Sequence, residues 1–291
     1  MDFSFAKEAD KEAIRTIWQY CFQDTDKYLD SYFSHVYKTE NSIVARDGDA
    51  IIASLQMIPH SISMHNKEYR GMYIGGVSVL PSHRGKGIAS SLMQFAEKQM
   101  RENQIDISFL IPFRFEFYKK LGYTCISYLS EISGEIAELR PFIVTDGVLS
   151  PLSCPPLKAY SKFINKFPLH LKRSMHSYTD EIFKLCSDAY CYALHNDAGY
   201  ILYTLQNSEF NVLECVYNDE ISLRRLLGFI YTHRSELKTF RVRTSANGEM
   251  RKILCENVFE EKRYPHAMGK NFGAPAFPDC MENYINMLGW F

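Results

Sequence analysis

Apolar residues near the start of the chain recur at the spacing of an α-helix. Two sets follow the i, i+3, i+4, i+7 pattern, which places side chains on one helix face. They predict two amphipathic helices, the first of which begins near Asp10. The first set is Ile14, Ile17, Trp18, Cys21 and Phe22, and the second is Leu29, Tyr32, Phe33 and Val36.

Shorter apolar runs bounded by turn residues predict strands. The runs 42–45 and 50–55 flank Asp47-Gly48, a dipeptide typical of a β-hairpin turn. Further strands are predicted over 69–79 and 105–111, and a helix with one apolar and one polar face lies between them. Its predicted inward residues are Ile88, Leu92, Phe95 and Ala96, and its predicted water-facing residues are Gln94, Glu97, Lys98 and Arg101.

The segment that joins the strand 69–79 to this helix carries the strongest chemical signal. Arg84, Gly85, Lys86 and Gly87 stand directly before the predicted helix start. The first N–H groups of a helix have no partner within the helix, and the macrodipole gives them a positive potential. The glycines let an anion approach the backbone closely, and the two cations add positive charge. The sequence therefore predicts a phosphate-binding loop.

The spacing of this loop distinguishes between phosphate-bearing ligands. Residues 84–89 read R-x-x-G-x-A, which matches neither the dinucleotide motif G-x-G-x-x-G nor the Walker motif G-x-x-x-x-G-K-[ST]. The segment closely resembles the R/Q-x-x-G-x-G/A loop with which the GNAT N-acetyltransferase superfamily binds the pyrophosphate of acetyl-CoA. An ordinary basic, glycine-rich turn between a strand and a helix is the structural alternative.

The resemblance implies which residues bind acetyl-CoA. The end of the strand 69–79 would pair with the pantetheine amides, and the backbone amides of the loop would hold the pyrophosphate. Backbone N–H groups near Val79 would also stabilise the oxyanion that forms on the acetyl carbonyl. The expected binding residues are Val77, Ser78, Val79, Arg84, Gly85, Lys86, Gly87, Ile88, Ala89 and Ser90, with Phe113 and Arg114 on the pantetheine side.

A second segment carries the same resemblance. Residues 109–113 predict the end of an apolar strand, and a short helix over 116–121 is predicted to end at Gly122. The superfamily has the same order of parts and a Y-x-x-x-G-[FY] ending, which recurs here as residues 118–123.

The resemblance implies that Tyr118 is the general acid that protonates the departing CoA thiolate. An unperturbed phenol has a pKa of about 10 and a thiol of about 8.5. These values are close enough for proton transfer within a hydrogen bond. Packing on the sheet is the structural alternative for Tyr118, and it is the role that we expect for Phe115, Phe117 and Tyr123.

The second half of the chain repeats this order of elements. A helix is predicted through Ile182, Leu185 and Cys186, followed by two strands separated by residues 196–199, and by a strand over 210–217. A helix through Leu223, Leu226, Leu227 and Ile230 and a strand through residues 240–242 complete the pattern.

In the second half, a different sequence stands at the position that corresponds to the phosphate loop. Residues 217–222 contain no glycine, and Asp219 and Glu220 bring two carboxylates to the predicted helix start. These charges repel a pyrophosphate but cap a helix well. We therefore expect the second half to be structural or to contact the acceptor, and not to bind CoA.

These patterns together predict an α/β (α+β) fold with tandem GNAT-like mixed sheets flanked by helices. The expected organisation is a catalytic GNAT domain that binds acetyl-CoA at 1–140 and a second, degenerate GNAT-like domain at 176–291. The segment 141–175 is rich in proline and sustains no period, so it is predicted to be a connection with short helices.

The tandem arrangement resembles the enhanced-intracellular-survival type of acetyltransferase, whose members can acetylate several amines of aminoglycosides. In that family the chain continues into a sterol-carrier-like domain, and the terminal carboxylate acts as a base in the active site. This sequence ends at Phe291, where we expect no such domain. The carboxylate of Phe291 is therefore a minor candidate for the base.

Composition limits the other classes of function. The 291 residues carry a formal net charge of -1 and no long basic run, which argues against a general nucleic-acid binder. The short basic cluster Leu171-Lys172-Arg173 is expected to lie on a solvated face. No apolar stretch approaches the roughly 20 residues that cross a bilayer, and the N-terminus lacks the features of a signal peptide. The 8 cysteines stand singly and the histidines lack metal-ligand spacing, so we expect a cytoplasmic protein without a metal.

The expected reaction is direct transfer of the acetyl group to a primary amine of a small molecule or a peptide. No Asp or Glu lies between Tyr69 and Leu80 to serve as a base on the strand. Deprotonation of the amine is therefore expected to run through water or a residue from elsewhere, and Glu116 is expected to face solvent. Two alternatives stay open at this point: a non-catalytic acyl-CoA sensor or scaffold, and a transferase of a longer acyl or an aminoacyl group.

Overall fold

The computed structural model describes residues 1–174, 188–255 and 259–287. The predicted helix through Ile182, Leu185 and Cys186 and the terminal Phe291 lie outside these ranges. The chain divides into two compact units. The first comprises residues 1–62, 67–125 and 267–276, and the second comprises residues 63–66, 126–266 and 277–291.

The first unit is a mixed sheet with helices. The sequence predicts its elements between residues 11 and 120 in the right order, but it predicts neither the first strand nor the strand that returns from residues 260–271. Its strands lie side by side in the order β1-β2-β3-β4-β5, and the last part of β13 adds a further strand beside β5. β1, β2 and β3 pair antiparallel, whereas β4 and β5 pair parallel. The elements are β1 (Asp2–Phe5), α1 (Lys11–Phe22), α2 (Asp26–His35), β2 (Ser42–Asp47), β3 (Ala50–Met64), β4 (Lys67–Val79), α3 (Ile88–Glu102), β5 (Ile107–Leu110), α4 (Phe115–Lys120) and β13 (Glu260–Asn271).

Burial confirms most of the predicted helix faces of this unit, and the clearest exceptions are Phe22 and Glu97. Most inward residues of α1 and α3 are almost fully buried, and two methionines of α3, Met93 and Met100, join them. Cys21 and Phe95 are only partly buried, and Phe22, at the end of α1, is 39% exposed. Glu97, predicted to face water, instead forms an ion pair with Lys270 at 2.7 Å, and its side chain is 13% exposed. The helical period places Glu97 at the border of the polar face. Its contact comes from Lys270 on β13, a strand that the helical period of α3 cannot predict.

The second unit is built on the strand order β6-β12-β11-β10-β9-β7. The predicted hairpin around residues 196–199, the strand through 210–217 and the helix and strand that follow are confirmed. The segment predicted as a connection supplies two strands and a helix to this unit. The elements are β6 (Thr124–Glu135), β7 (Leu149–Leu152), α5 (Leu157–Ile164), β8 (Leu169–Lys172), β9 (Tyr190–Leu194), β10 (Gly199–Gln206), β11 (Glu209–Tyr217), α6 (Glu220–Thr232), β12 (Thr239–Ser245) and α7 (Glu249–Cys255).

A buried ion pair lies in the core of the second unit. Arg173 donates to both carboxylate oxygens of Glu214, at 2.9 and 3.0 Å, and the two side chains are 4% and 0% exposed. Tyr200 and Asn286 also donate to this carboxylate. The prediction that Arg173 lies on a solvated face is therefore wrong, because its partner is a core residue 41 positions away in sequence.

The described helices are all too short or too polar to cross a membrane.

Gly76 fixes the path of β4 in the first unit. It adopts a left-handed backbone conformation with φ +59°, and a Cβ at this position would overlap the ring of Trp18. Trp18 on α1 therefore packs directly against the backbone of the strand that leads to the phosphate loop. Any side chain at position 76 pushes the helix and the strand apart.

We expect Gly76→Ala to destabilise the first unit by at least about 3 kcal/mol, because overpacking and a left-handed alanine both add to the cost. The control is Gly48→Ala, since Gly48 has φ +60° but an open surrounding. That variant is expected to lose only about 1 kcal/mol. Urea unfolding monitored by circular dichroism measures both values, and equal losses would contradict the packing of Trp18 on Gly76.

Candidate active site

The loop between β4 and α3 has the geometry of an anion site. A short 3₁₀ turn, Pro81–His83, leads to two glycines in left-handed conformation, Gly85 with φ +77° and Gly87 with φ +78°. A Cβ built on either glycine would meet no atom within 4 Å. The space beside the loop backbone is therefore open to a ligand, and both turns suit glycine.

The first turn of α3 presents backbone donors to this space. Gly87 is the N-cap and has no side chain to cap the helix, and the first N–H that bonds within the helix is that of Ser91, to Gly87 O at 3.1 Å. The N–H groups of residues 88–90 consequently lack an i-4 partner. Lys86 is exposed beside them, and residues 80–91 contain no Asp or Glu. These groups fit a diphosphate.

Arg84 contacts the protein differently from what the motif suggests. Its Nε donates to the Val79 carbonyl at 3.0 Å, and its terminal nitrogen lies 3.5 Å from the Cys21 sulfur. Arg84 therefore ties the end of β4 to α1, and the residue remains exposed. Sequence reasoning missed Cys21, because its position on the predicted helix face indicated only packing.

β4 extends beyond its parallel partner. The register with β5 runs from Gly71 opposite Ile107 to Tyr73 opposite Phe109, and β5 ends at Leu110. The following part of β4, through Val79, therefore has no β5 residue beside it. A strand edge of this kind is suited to pairing with an extended, amide-bearing ligand.

The three strand residues expected to bind the cofactor differ in the burial of their side chains and in the backbone groups that are already hydrogen-bonded. The Ser78 hydroxyl is buried and lies 3.1 Å from that of Ser54, so its side chain belongs to the core. Val77 and Val79 are partly buried. The Val79 carbonyl already accepts from Arg84. The backbone of Val77 and Ser78 is thus the part of this segment best suited to contact pantetheine.

Tyr118 is held by the C-terminal motif of α4. Gly122 has φ +86°, its N–H donates to Lys119 O at 2.9 Å, and the Tyr123 N–H donates to Tyr118 O at 3.1 Å. This is a Schellman motif, in which Tyr118 and Tyr123 are the two residues that come into side-chain contact, with ring centroids 6.1 Å apart. The spacing of the sequence motif thus has a geometric cause.

Burial controls the chemistry of Tyr118. The residue is 7% exposed, and this burial raises the pKa of its phenol to about 12. Among the described residues, none hydrogen-bonds the Tyr118 hydroxyl. Because this hydroxyl has no partner among the described residues, its proton is available to a ligand atom.

The other aromatic residues of this region divide into two kinds. Tyr123 is buried as predicted, with its hydroxyl 2.8 Å from that of Ser108, and Phe115 and Phe117 are partly buried against the same core. Phe113, in contrast, is 91% exposed, and its neighbour Arg114 is also exposed.

One apolar cluster joins the elements that carry the candidate site. Ile74 on β4, Ile88 at the start of α3 and Tyr118 on α4 all belong to it. The structure therefore brings the strand edge, the helix with the anion loop and the buried phenol together around one core.

Comparison with known families assigns both halves of the chain. A family model described as an acetyltransferase (GNAT) domain matches residues 2–126, and a second model with the same description matches residues 170–263. The chain belongs to the GNAT acetyltransferases. It carries two GNAT domains in tandem and is an acetyltransferase enzyme.

Solved structures share this fold at low sequence identity. A GCN5-related N-acetyltransferase from Anabaena variabilis has a TM-score of 0.82 at 18% identity, covering 93% of this chain and 72% of its own. A probable N-acyltransferase from Enterococcus faecalis has a TM-score of 0.79 at 18% identity, with coverage of 94% and 73%. Eis1 from Mycobacterium abscessus has a TM-score of 0.74 at 12% identity, with coverage of 93% and 74%. No curated protein matches this chain.

The second GNAT domain differs from the first at the helix start that corresponds to the anion loop. Asp219 is the N-cap of α6, and its carboxylate accepts from the Ser222 N–H at 2.7 Å. This hydrogen bond lowers the pKa of Asp219 from its usual value. A carboxylate therefore occupies the donors that face open space in the first domain.

We expect free CoA to raise the melting temperature of the protein by several degrees at 100 times its Kd, because that concentration adds about 2.7 kcal/mol to the native state. Gly87→Glu is expected to abolish the rise, since it places a carboxylate at the diphosphate donors. Gly48→Glu is the matched control, because Gly48 has a similar φ and open space in a distant hairpin. Differential scanning fluorimetry measures the shift, and a full rise in Gly87→Glu would disprove the loop assignment.

Proposed function

We propose that the first domain transfers the acetyl group of acetyl-CoA to a primary amine by direct attack, with Tyr118 as the proton donor to the CoA sulfur. The observation that carries this proposal is the loop of two left-handed glycines and unpaired helix donors, which follows the free edge of β4. A strand edge for amides and a donor cluster for a diphosphate match the two ends of one elongated ligand.

Binding of the donor substrate uses mostly backbone groups. The N–H groups from Gly85 to Ser90 hold the pyrophosphate, and Arg84 and Lys86 add charge around it. Val77, Ser78 and Val79 contact the pantetheine through their backbone. Phe113 and Arg114 cover it from the loop before α4. The 91% exposure of the Phe113 ring supports this role, since a large exposed aromatic side chain gains apolar contact when a ligand lies against it.

The reaction requires two proton movements. The amine nitrogen attacks the thioester carbonyl, and a backbone N–H near Val79 stabilises the oxyanion. As the intermediate collapses, the C–S bond breaks, the sulfur retains the bonding pair, and the Tyr118 O–H protonates it. The proton that leaves the nitrogen returns to the Tyr118 oxygen through water. The products are the N-acetylated amine and free CoA, so no oxidant or metal takes part in the balance.

The raised pKa of Tyr118 suits this role. With a pKa of about 12, the phenol keeps its proton at neutral pH. A CoA thiolate that forms in the same desolvated surroundings also has a higher pKa than the value of about 8.5 in water. Burial therefore raises both the pKa of the proton donor, Tyr118, and the pKa of the proton acceptor, the CoA thiolate.

The acceptor must arrive as a neutral amine or lose its proton before attack. No carboxylate of β4 is available between Tyr69 and Leu80, and Glu116 is exposed and paired with Lys119 at 2.9 Å. We infer that water or a residue from elsewhere takes the proton. A thiol-release assay with polyamines, aminoglycosides and peptide N-termini identifies the class of acceptor, and CoA release with none of them would favour an acyl-CoA sensor.

We expect Tyr118→Phe to lower kcat by at least about 100-fold, because general acid catalysis contributes on this order. The KM for acetyl-CoA and the thermal shift with CoA are expected to stay within about twofold of the wild type. Tyr123→Phe is the matched control, since it removes another buried hydroxyl of the same motif, one that is bonded to Ser108. Equal kcat values for Tyr118→Phe and Tyr123→Phe would contradict the proposed role.

We expect kcat/KM to rise with pH up to the pKa of the acceptor amine and then to stay level to pH 10. The protonated phenol is the active form, and it is lost only above its pKa of about 12. Steady-state rates from pH 6 to 10 test this. A fall in rate below pH 10 that is absent from Tyr118→Phe would show that Tyr118 loses its proton too early for the proposed role.

A further inference from the structure

Lys270 lies where the elements of the candidate active site meet. It belongs to the part of β13 that pairs with β5 in the first domain, opposite Ser108. Its ammonium donates to Glu97 Oε2 at 2.7 Å and to the Leu121 carbonyl at 2.6 Å. Glu97 lies on α3, the helix whose N-terminus forms the anion loop, and Leu121 directly follows α4, the helix that carries Tyr118.

The contact to Leu121 completes the end of α4. The carbonyls of Tyr118 and Lys119 accept from the backbone N–H groups that follow the helix. The carbonyl of Leu121, the C-cap of the helix, accepts from neither of these N–H groups. Its partner is the ammonium of Lys270, 149 positions away in sequence. A charged donor makes a stronger hydrogen bond than a neutral one. The last turn of the helix is thus held both by its own chain and by β13.

The surroundings of Lys270 separate this contact from ordinary surface ion pairs. Its side chain is 20% exposed and that of Glu97 is 13% exposed, and the ammonium lies 5.7 Å from the centre of the Tyr123 ring. The pair Lys119–Glu116 on the outer face of α4 is 57% and 72% exposed. Exposed pairs fix little geometry, whereas a largely buried ammonium with two short contacts has few other positions.

We propose that Lys270 is a positioning residue that orients the Tyr118 phenol toward the CoA sulfur by fixing the last turn of α4. This inference rests on the proposed function of Tyr118. It follows from the order of the contacts, since Tyr118 is the first residue of the C-terminal motif that Lys270 holds. A displacement of about 1 Å at a reacting group can lower a rate on the order of 100-fold.

The test compares variants that keep the local charge balanced. Glu97→Gln removes the ion pair but keeps the bond from Lys270 to Leu121, and kcat is expected to stay within about twofold of the wild type. Adding Lys270→Met to Glu97→Gln removes that bond without leaving a buried carboxylate unpaired. We expect this pair of changes to lower kcat about tenfold, with the KM for acetyl-CoA within about twofold. Lys119→Met, on the outer face of the same helix, is the control that keeps full kcat.

A double-mutant cycle distinguishes positioning from general stability. In the Tyr118→Phe background no phenol is left to orient, so the further loss from the Lys270→Met and Glu97→Gln pair is expected to be less than about twofold. Equal losses in both backgrounds, or a rise in KM alone, would overturn the proposal. All variants are assayed at one common temperature, at least 10 °C below the lowest of their melting points, so that each is folded. Lys270→Gln repeats the cycle with a shorter, uncharged polar side chain.

The same measurements distinguish a failure of Tyr118 as the proton donor from a failure of Lys270 as the positioning residue. If Tyr118→Phe alone keeps the wild-type kcat, the proton donor of the proposed function fails, and the role of Lys270 fails with it. If Tyr118→Phe is slow but the cycle is additive, the proposed function stands and only the positioning role of Lys270 is rejected.

Discussion

Left-handed backbone at glycine determines where the chemical groups of the first domain point. Gly85 and Gly87 turn the chain so that the first N–H groups of α3 face open space, and Gly122 reverses the chain so that Tyr118 is locked at the end of α4. Residues with a side chain adopt this left-handed backbone only with strain of about 1–2 kcal/mol. The candidate site therefore depends on a few positions without side chains, while the groups that we propose to bind and react are backbone donors and one phenol.

The second domain differs from the first by a side-chain cap at the helix start that corresponds to the anion loop. It also has a strand, a helix start and a following strand, but Asp219 accepts the hydrogen bond that a ligand would otherwise receive. A side-chain cap of this kind contributes about 1 kcal/mol, and its negative charge disfavours a phosphate at the same N–H groups. The buried pair Arg173–Glu214 gives the core of this domain fixed polar contacts instead. We infer that the two halves have divided binding chemistry and support between them.

Local signals account for what the sequence predicted of the fold and the site. The helical period of α1 and α3, the hairpin at Gly48 and the glycine that ends α4 each act within about ten residues, so one sequence suffices to find them. The burial of Arg173, the ion pair of Glu97 and the raised pKa of Tyr118 depend on partners or surroundings distant in sequence. The two strands of the segment 141–175 are four residues each, and the first contains Pro151, so neither sustains a long alternation of the kind that predicts a strand.

The return of β13 to the first domain has a consequence for how that domain forms. Its residues 268–271 pair with β5 residues 107–110, so a strand of the first sheet is synthesised after most of the second domain. Closing so long a loop costs entropy, but that cost grows only logarithmically with loop length. The length of the intervening chain therefore adds little to the free energy cost of pairing β13 with β5. Until this pairing forms, Leu121 and Glu97 lack Lys270, and the end of α4 lacks its last partner. The contact between Lys270 and the end of α4 therefore forms only after residues 126–266 have been synthesised.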